Sequence, residues 1–490
     1  MSSTGTTPPL GCNPAGQMPK IAANLPDAAD ERELVTPTIT ATQTIPAATP
    51  AAPPKVVFRE GSLRRNFSWT FVGNIIYSAC QWGILVILAK LGNPEMVGQY
   101  GLAMAIATPV LALSSLQLRQ VLTTDVKETV AFGEYLGFRL LTTVLSMAVI
   151  AGIAFSRRAS MLVVMIMGVS QGIEMVSDLY YGRMQFHDNM DRIAKSMIFR
   201  GILGVLAMLA GVYLTHSVLW GVIGLTVARA AILLGYDITK RTQLLPREVT
   251  DKTEVDELFR SGAGLLQPRW TIGPQGELFR TSISLGVIAM LVSLLPNIPR
   301  YFLVGSMGER ALGIFTATAF LVSTGNLIMT AMGQAAFVRL AKLYGARDVA
   351  GFNRLLVRLL GLALFLGIGG IGVAIVFGHL LLTLIYRPEY AEHTDLLVTM
   401  MVAGALTYVG AVFASAVTSA RAFNPQIPVL ASAVSAGAIA SYLLIRPYGL
   451  LGAGLAVVAT SAVLCTGHGI LLLRVRKNLL KSETGAALAS

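Results

Sequence analysis

The sequence predicts an all-α polytopic membrane protein of twelve transmembrane helices, arranged as two six-helix halves. Three observations carry this. Of 490 residues, 54% are hydrophobic and only 13% charged, with a mean hydropathy of +0.65, whereas a soluble domain carries about 25% charged residues. Apolar stretches near the ~20 residues that cross a bilayer recur along the chain, with the Gly and Pro that membrane helices tolerate. Finally, the Lys and Arg residues between those stretches crowd onto one side.

The chain opens on a Pro-, Thr- and Ala-rich tail, residues 1–60, including "TPTITATQTIPAATPAAPPK". Its composition predicts disorder, and it holds no apolar core long enough for a signal peptide. The N-terminal half, 61–237, contains apolar spans at Phe67–Ala89, Val97–Leu118, Leu136–Phe155, Met161–Tyr180, Ser196–Leu214 and Val218–Tyr236. A polar cytoplasmic linker, 238–281, separates it from the C-terminal half, 282–474. There the spans are Ser282–Val304, Ala311–Phe337, Leu355–Phe377, Leu396–Val417, Ile427–Ile445 and Leu450–Leu473, followed by a cytoplasmic tail, 475–490.

Cytoplasmic loops retain positive charge during insertion. From Lys55 onward, the cations that this pattern puts outside are Lys90, Arg157, Arg158, Arg310, Arg387 and Arg446; about four times as many fall on the other side, which is the inside by that rule. Both termini are therefore expected in the cytoplasm and the protein in the cell's inner (plasma) membrane. Only "SRRAS", with Arg157 and Arg158, runs against the bias. Topology accounts for most of the net charge of +12, so no nucleic-acid partner is expected.

The halves echo each other at one place. "GNPEMVGQY" follows the first span and "GSMGERALGIF" the seventh. Each is a short outer turn with an acid, Glu95 or Glu309, before Gly98-x-Tyr100 or Gly313-x-Phe315 opens the next helix. Two halves in the same orientation are parallel repeats about an axis along the membrane normal, with a substrate path between them.

Polar groups inside spans are costly, about 2.5–3.5 kcal/mol for a central charge on insertion scales, and persist where they face protein or water. Arg229 is the deepest cation, either a cavity group or a strut paired with Glu174 or Asp178. Gln171, Glu174 and Asp178 share one helical face by their spacing. That face either lines a hydrated cavity or joins Arg192 and Arg200 in a network. Gln117 and Arg119 close the second span and Arg139 begins the third, so cations gather at the inner mouth, a pattern that positive-inside bias also produces. Asn326 lies in mid-membrane. Asn74, Tyr77, Gln81 and Trp82 make a polar and aromatic stripe on the first span that suits a sugar or helix packing equally.

"SLLPNIPRYFLVGSMG" raises the sharpest question. Pro296 and Pro299 each remove an amide donor, so the helix is expected to bend or break there, as a gate or hinge. A broken helix at membrane depth needs protein or a water-filled cavity beside it. Arg300 sits about five residues, or ~7 Å, inside the outer turn. A hinged helix beside a cation suits an anionic cargo; the alternative is a packing kink with Arg300 snorkelling.

Cys12, Cys80 and Cys465 form no CxxC pair, and the five histidines never meet Cys or carboxylates at ligand spacing. No metal site or cofactor is expected. There is no GxxxxGK[ST], GxSxG or HExxH, and no outer loop long enough for an active site, so an enzyme is not expected.

Taken together, "RRNFSWTFVGNIIYSACQWGILVILAKLG", "GQYGLAMAIATPVLALSSLQLRQVLTTD", "EMVSDLYYGRMQFHDNMDRIAKSMIFRG", "LPNIPRYFLVGSMGERALGIFTATAFL", "AMGQAAFVRLAKLY" and "YRPEYAEHTDLL" resemble the polysaccharide-transporter branch of the multidrug/oligosaccharidyl-lipid/polysaccharide exporter superfamily. The likeness runs from about residue 60 to 475. It implies two six-helix lobes around a central cavity and alternating access. It also implies movement of a polyprenyl-diphosphate-linked oligosaccharide between leaflets, powered by an ion gradient. Cavity arginines hold the diphosphate in related flippases, a role open here to Arg119, Arg229 and Arg300, with Asn74, Gln81, Gln117 and Asn326 as further cavity groups. Glu174 and Asp178 are the candidates for ion coupling. The implied partners are the lipid-linked oligosaccharide, membrane lipids and a glycan polymerase. The competing functions are an ion-coupled exporter of small cationic compounds, which wants an acidic cavity, and a membrane-embedded glycan polymerase or ligase, which wants a long outer loop.

Overall fold

In a computed structural model, the protein is described over residues 60–125, 130–155, 161–238, 267–420, 422 and 424–487, and a few side chains within these ranges, Asn326 and Gln334 among them, are not described. The tail expected at 1–60, apart from Glu60, most of the 238–281 linker and the "SRRAS" turn lie outside the described residues.

Every regular element among the described residues is helical. The order is α1 (Glu60–Leu91), α2 (Pro94–Ser115), α3 (Leu118–Thr124), α4 (Phe132–Phe155), α5 (Met161–Phe186), α6 (Met190–Thr215) and α7 (Val218–Ile232), which continues into a wide turn, Leu233–Ile238. The second half holds α8 (Ile272–Gly345), α9 (Val349–Ile385), α10 (Pro388–Ala391), α11 (Thr394–Ser419) and α12 (Gln426–Ala487). Ten helices among the described residues are long and apolar enough to cross a membrane. Two of them, α8 and α12, contain a glycine with non-helical backbone, Gly308 at φ 79° and Gly449 at φ 58°. Only glycine takes such angles without steric cost. Divided at those glycines, the two long helices supply the four spans that the sequence expects there; undivided, the count stays at ten.

Of the bend or break expected at Pro296 and Pro299, no break is present. The backbone remains helical through Pro296 and Pro299, and the break falls nine residues beyond Pro299, at Gly308. Val292 and Leu295, whose carbonyls the two prolines free, line a cavity in the C-terminal half, and membrane helices tolerate freed backbone groups where protein or a cavity lies beside them. Two further differences lie at element ends. Helix α8 begins within the expected linker, and α12 continues through the expected tail to Ala487, its Val475 and Leu479 buried against the C-terminal half.

Local chemistry sets the starts. Asn93 accepts from the Met96 amide at 2.9 Å, with Pro94 at the first helical position and Glu95 in the first turn of α2, all favoured at a helix N-terminus. Asp348 caps α9 in the same way, accepting from the Gly351 amide at 2.8 Å. Helix α2 ends on two consecutive left-handed residues, Leu116 at φ 47° and Gln117 at φ 50°, which turn the chain sharply into α3.

Outward faces are apolar. Phe365 is 72% exposed, Val376 70% and Val144 68%, an arrangement that water penalises and a lipid bath accepts. Inside, small residues let helices approach, as membrane packing requires. Gly73 of α1 meets Ala194 of α6, and Gly211 of α6 meets Gly221 of α7.

The two halves join where the repeated turns lie. A Cβ on Gly98 would stand 1.9 Å from the Glu309 carbonyl oxygen, and one on Gly313 would stand 1.8 Å from that of Pro94. The contacts are reciprocal: Gly98 to Glu309, and Gly313 to Pro94, each offset by the same 215 positions (313 − 98 and 309 − 94). That is the signature of a near-two-fold relation between α2 and the second part of α8, consistent with parallel repeats. Polar contacts surround the crossing. Gln99 donates to Glu309 at 2.9 Å, and Arg310 reaches Glu95 at 3.5 Å and Glu389 at 3.0 Å. Lys90 donates to the Leu384 carbonyl at 2.7 Å while Arg387 donates to that of Lys90 at 2.6 Å. These contacts tie the two halves together at this end of the bundle.

Candidate functional site

Helix α5 is the spine of the N-terminal half. Its acid Glu174 pairs with Arg229 of α7 at 3.0 Å, and Arg229 also donates to Ser170, one turn earlier on α5, at 3.2 Å. The Tyr77 hydroxyl of α1 donates to the other Glu174 oxygen. Arg229 is 2% exposed. Three helices are thus tied through one carboxylate, and removing any member strands a buried polar group.

Two further pairs follow. One turn along α5, Asp178 accepts from Arg119 of α3 at 2.9 Å, and Arg119 also donates to Gln185 from Nε at 3.1 Å and Nη2 at 2.9 Å. Arg200 of α6 pairs with Asp237 at 2.9 Å, both buried, while Ser196 donates to the second Asp237 oxygen at 2.6 Å. Tyr181 lies beneath both cations, 5.8 Å from the Arg119 guanidinium and 5.2 Å from that of Arg200.

The C-terminal half holds the contrast. A cavity of about 930 Å³ lies among α8, α11 and α12. Its described walls are largely apolar, with Phe315, Phe320, Met400 and Val457 prominent, and they carry no carboxylate. One charged group enters the wall, Arg300, beside Pro296. Arg300 is 9% exposed; its Nη1 donates to Asn297 Oδ1 at 3.2 Å, and its Nε has no hydrogen-bond partner among the described residues. A buried guanidinium without a counter-charge is expensive, so this cavity is poised for an anion.

The structure therefore separates the three candidate arginines. Arg119 and Arg229 each sit against an acid of α5, and Arg300 sits against a cavity. Of the remaining candidates, Asn74 is exposed and donates back to the Thr70 carbonyl at 2.9 Å, Gln81 is half-buried on α1, and Gln117 forms the left-handed turn before α3. None of them joins Arg300 at the cavity wall. Asn326 lies in α8, but its side chain is outside the described residues.

Sequence reasoning missed three groups. Asp237 reads as the first residue of a loop yet is fully buried. Tyr77 reads as part of a stripe suited to a sugar or to helix packing, and its hydroxyl bonds Glu174. Arg139 reads as an inner-mouth cation, but it is 1% exposed and its guanidinium nitrogens have no hydrogen-bond partner among the described residues. The only sequence signal for the first two was that a polar group in an apolar span needs a partner.

No family model matches the chain. A curated relative, the capsular polysaccharide biosynthesis protein CapF of Staphylococcus aureus, is 24% identical over 400 residues, covering 81% of this chain and 96% of that protein. Among solved structures, a multidrug resistance MATE family transporter of the MOP superfamily in its inward-facing conformation aligns with a TM-score of 0.66 at 14% identity, covering 84% of this chain and 99% of the other. The outward-facing conformation gives 0.58 at 14% identity, covering 86% and 96%. A MOP superfamily transporter from Pyrococcus furiosus, for which a binding pocket of reverse polarity suggests a different function, gives 0.55 at 14% identity, covering 85% and 95%. The chain is a multi-pass membrane protein with the fold of MOP superfamily transporters.

Proposed function

We propose that the protein moves a polyprenyl-diphosphate-linked oligosaccharide from the inner to the outer leaflet by alternating access, in the biosynthesis of an exopolysaccharide, capsule or O-antigen. The observation that carries this reading is Arg300, a buried cation free of any described ion pair, in a cavity whose described walls hold no acid. Arginine offers paired donors to oxyanions, and its attraction to a diphosphate is strongest away from water. The relationship to a protein named for capsular polysaccharide biosynthesis points the same way.

With the termini cytoplasmic, in the inner membrane, the tied end carrying Asn93 and Gly308 faces outward and this state accepts cargo from the inside. The carboxylates for ion coupling are then Glu174 and Asp178. A proton or cation arriving at Glu174 competes with Arg229 for its oxygens, which links ion binding to the α1, α5 and α7 contacts.

A cationic drug requires acids in the cavity wall, which the described residues lack. The test is reconstitution into vesicles with a fluorescent polyprenyl-diphosphate oligosaccharide in one set and a lipophilic fluorescent cation in another, each under an imposed ion gradient. Translocation of the glycolipid above protein-free vesicles, without gradient-driven uptake of the cation, is the expected result. Cation transport with no glycolipid movement overturns it, and elongation of the glycan without translocation indicates an enzyme.

A further inference from the structure

Among the described residues, the walls of the C-terminal cavity have a donor balance that fits poorly to a sugar. Ser323, Thr407, Ser415 and Thr460 donate to carbonyls of their own helices at 2.7, 2.9, 2.8 and 2.8 Å. Ser461 lies 3.1 Å from Thr407; since the Thr407 hydrogen goes to Ala403, Ser461 is the donor there. These hydroxyls can still accept but have no hydrogen left to give. A glycan presents hydroxyls that must both donate and accept, and each unmatched one costs a buried hydrogen bond.

What the described walls do offer is apolar surface, one cation and the single hydroxyl of Thr418, which accepts from Gln426 at 3.2 Å and keeps its own hydrogen. Leu295, Phe315, Phe320, Met329, Met400 and Val457 line a space of about 930 Å³, within the usual size of a ligand site, about 300–1,000 Å³. A cavity lined this way gains little from water. Arg300 lies at its margin with Nε unpartnered.

We propose that this cavity is a berth for the hydrocarbon chain of an anionic lipid, with the phosphate head on Arg300 and any glycan excluded from it. The proposal rests on the transport reading for the lipid's identity as the cargo's own anchor. It places such an anchor inside the protein rather than in the surrounding bilayer. The chain lies along α8, α11 and α12, while the head is held where the walls change from apolar to charged.

The test is photolabelling of the intact protein in nanodiscs of neutral phosphatidylcholine, using dodecyl phosphate with a diazirine near the chain end and mapping the adducts by mass spectrometry. Adducts are expected on α8, α11 and α12 cavity residues. Excess unlabelled dodecyl phosphate should compete, while inorganic phosphate and dodecanol should not. R300Q should lower the cavity adducts by about tenfold or more. A411F, which fills the cavity and leaves Arg300 in place, should lower them equally, with both variants checked for wild-type thermal unfolding. Equal cavity labelling in A411F overturns the proposal, as does labelling spread over the lipid-facing surface of α9. If inorganic phosphate alone competes, the site is one for a free anion and the berth is also overturned. Failure here with glycolipid translocation intact removes the berth and leaves the transport reading standing; cavity labelling without translocation does the reverse.

Discussion

Glu174→Leu is expected to destabilise the protein by about 3–5 kcal/mol, the cost of leaving one partner of a buried pair uncompensated. Arg229, 2% exposed, would lose its described counter-charge while keeping its 3.2 Å bond to Ser170, and the Tyr77 hydroxyl would lose its carboxylate acceptor. The companion Arg229→Met costs less than the charge it removes would suggest, because Glu174 keeps its bond from Tyr77. Joining the two should recover most of the loss, since replacing a buried pair by apolar groups is often neutral. Thermal unfolding in detergent across the four-member cycle measures the coupling. A strongly favourable coupling identifies the pair as a strut between α5 and α7. Coupling near zero, with Glu174→Leu as stable as wild type, contradicts the assignment.

Gly98→Val is expected to part the two halves at the end where they are tied. The first added carbon would fall 1.9 Å from the Glu309 carbonyl oxygen, and no rotamer change relieves a clash with backbone. Overpacking of this sort costs about 1–3 kcal/mol, occasionally more. The structure can escape by separating α2 from α8, which breaks the Gln99 and Arg310 contacts. Cysteines at positions 95 and 310, whose native side chains meet at their tips, 3.5 Å apart, should be joined by a bifunctional thiol reagent long enough to replace that reach, and several-fold less in the chain that also carries Gly98→Val. Gly313→Val should act on the same crossing through Pro94, so the two changes together should cost less than their sum. Unchanged crosslinking in both variants would show that the crossing does not hold this end together.

The contrast between what is legible in the sequence and what is not follows from range. Spans are legible because bilayer thickness fixes their length, and ten of the described helices meet that standard. The paired turns are legible as a repeat, because Gly98 and Gly313 stand in matching strings. That these glycines face each other's partner across the half-to-half contact is not, since sequence spacing carries no information about which helices meet. Glu174 and Asp178 are both legible as candidate partners for Arg229, because a cation deep in an apolar span needs a counter-charge, but the choice of Glu174 comes from the structure. Asp237 is hidden by its place at the end of a span, where carboxylates are usually solvated. Pro296 and Pro299 mislead as break points because a proline's cost depends on what surrounds the carbonyls it frees, here those of Val292 and Leu295 at the cavity wall, while the non-helical backbone falls at Gly308. The cavity itself is invisible in the sequence. Its walls are Phe, Met, Val and Thr residues scattered over α8, α11 and α12, none of them distinguishable from ordinary membrane packing, and only Arg300 marks the place.

That residue also offers the most direct measurement. Glycolipid translocation in vesicles, compared among wild type, R300K and R300Q at matched protein incorporation and matched thermal unfolding, isolates the charge at the cavity wall. R300Q should fall by about tenfold or more, and R300K should keep a fraction of the rate because it retains a point charge without the paired donors. Translocation by R300Q at the wild-type rate would contradict the claim that an anionic headgroup crosses by way of this guanidinium.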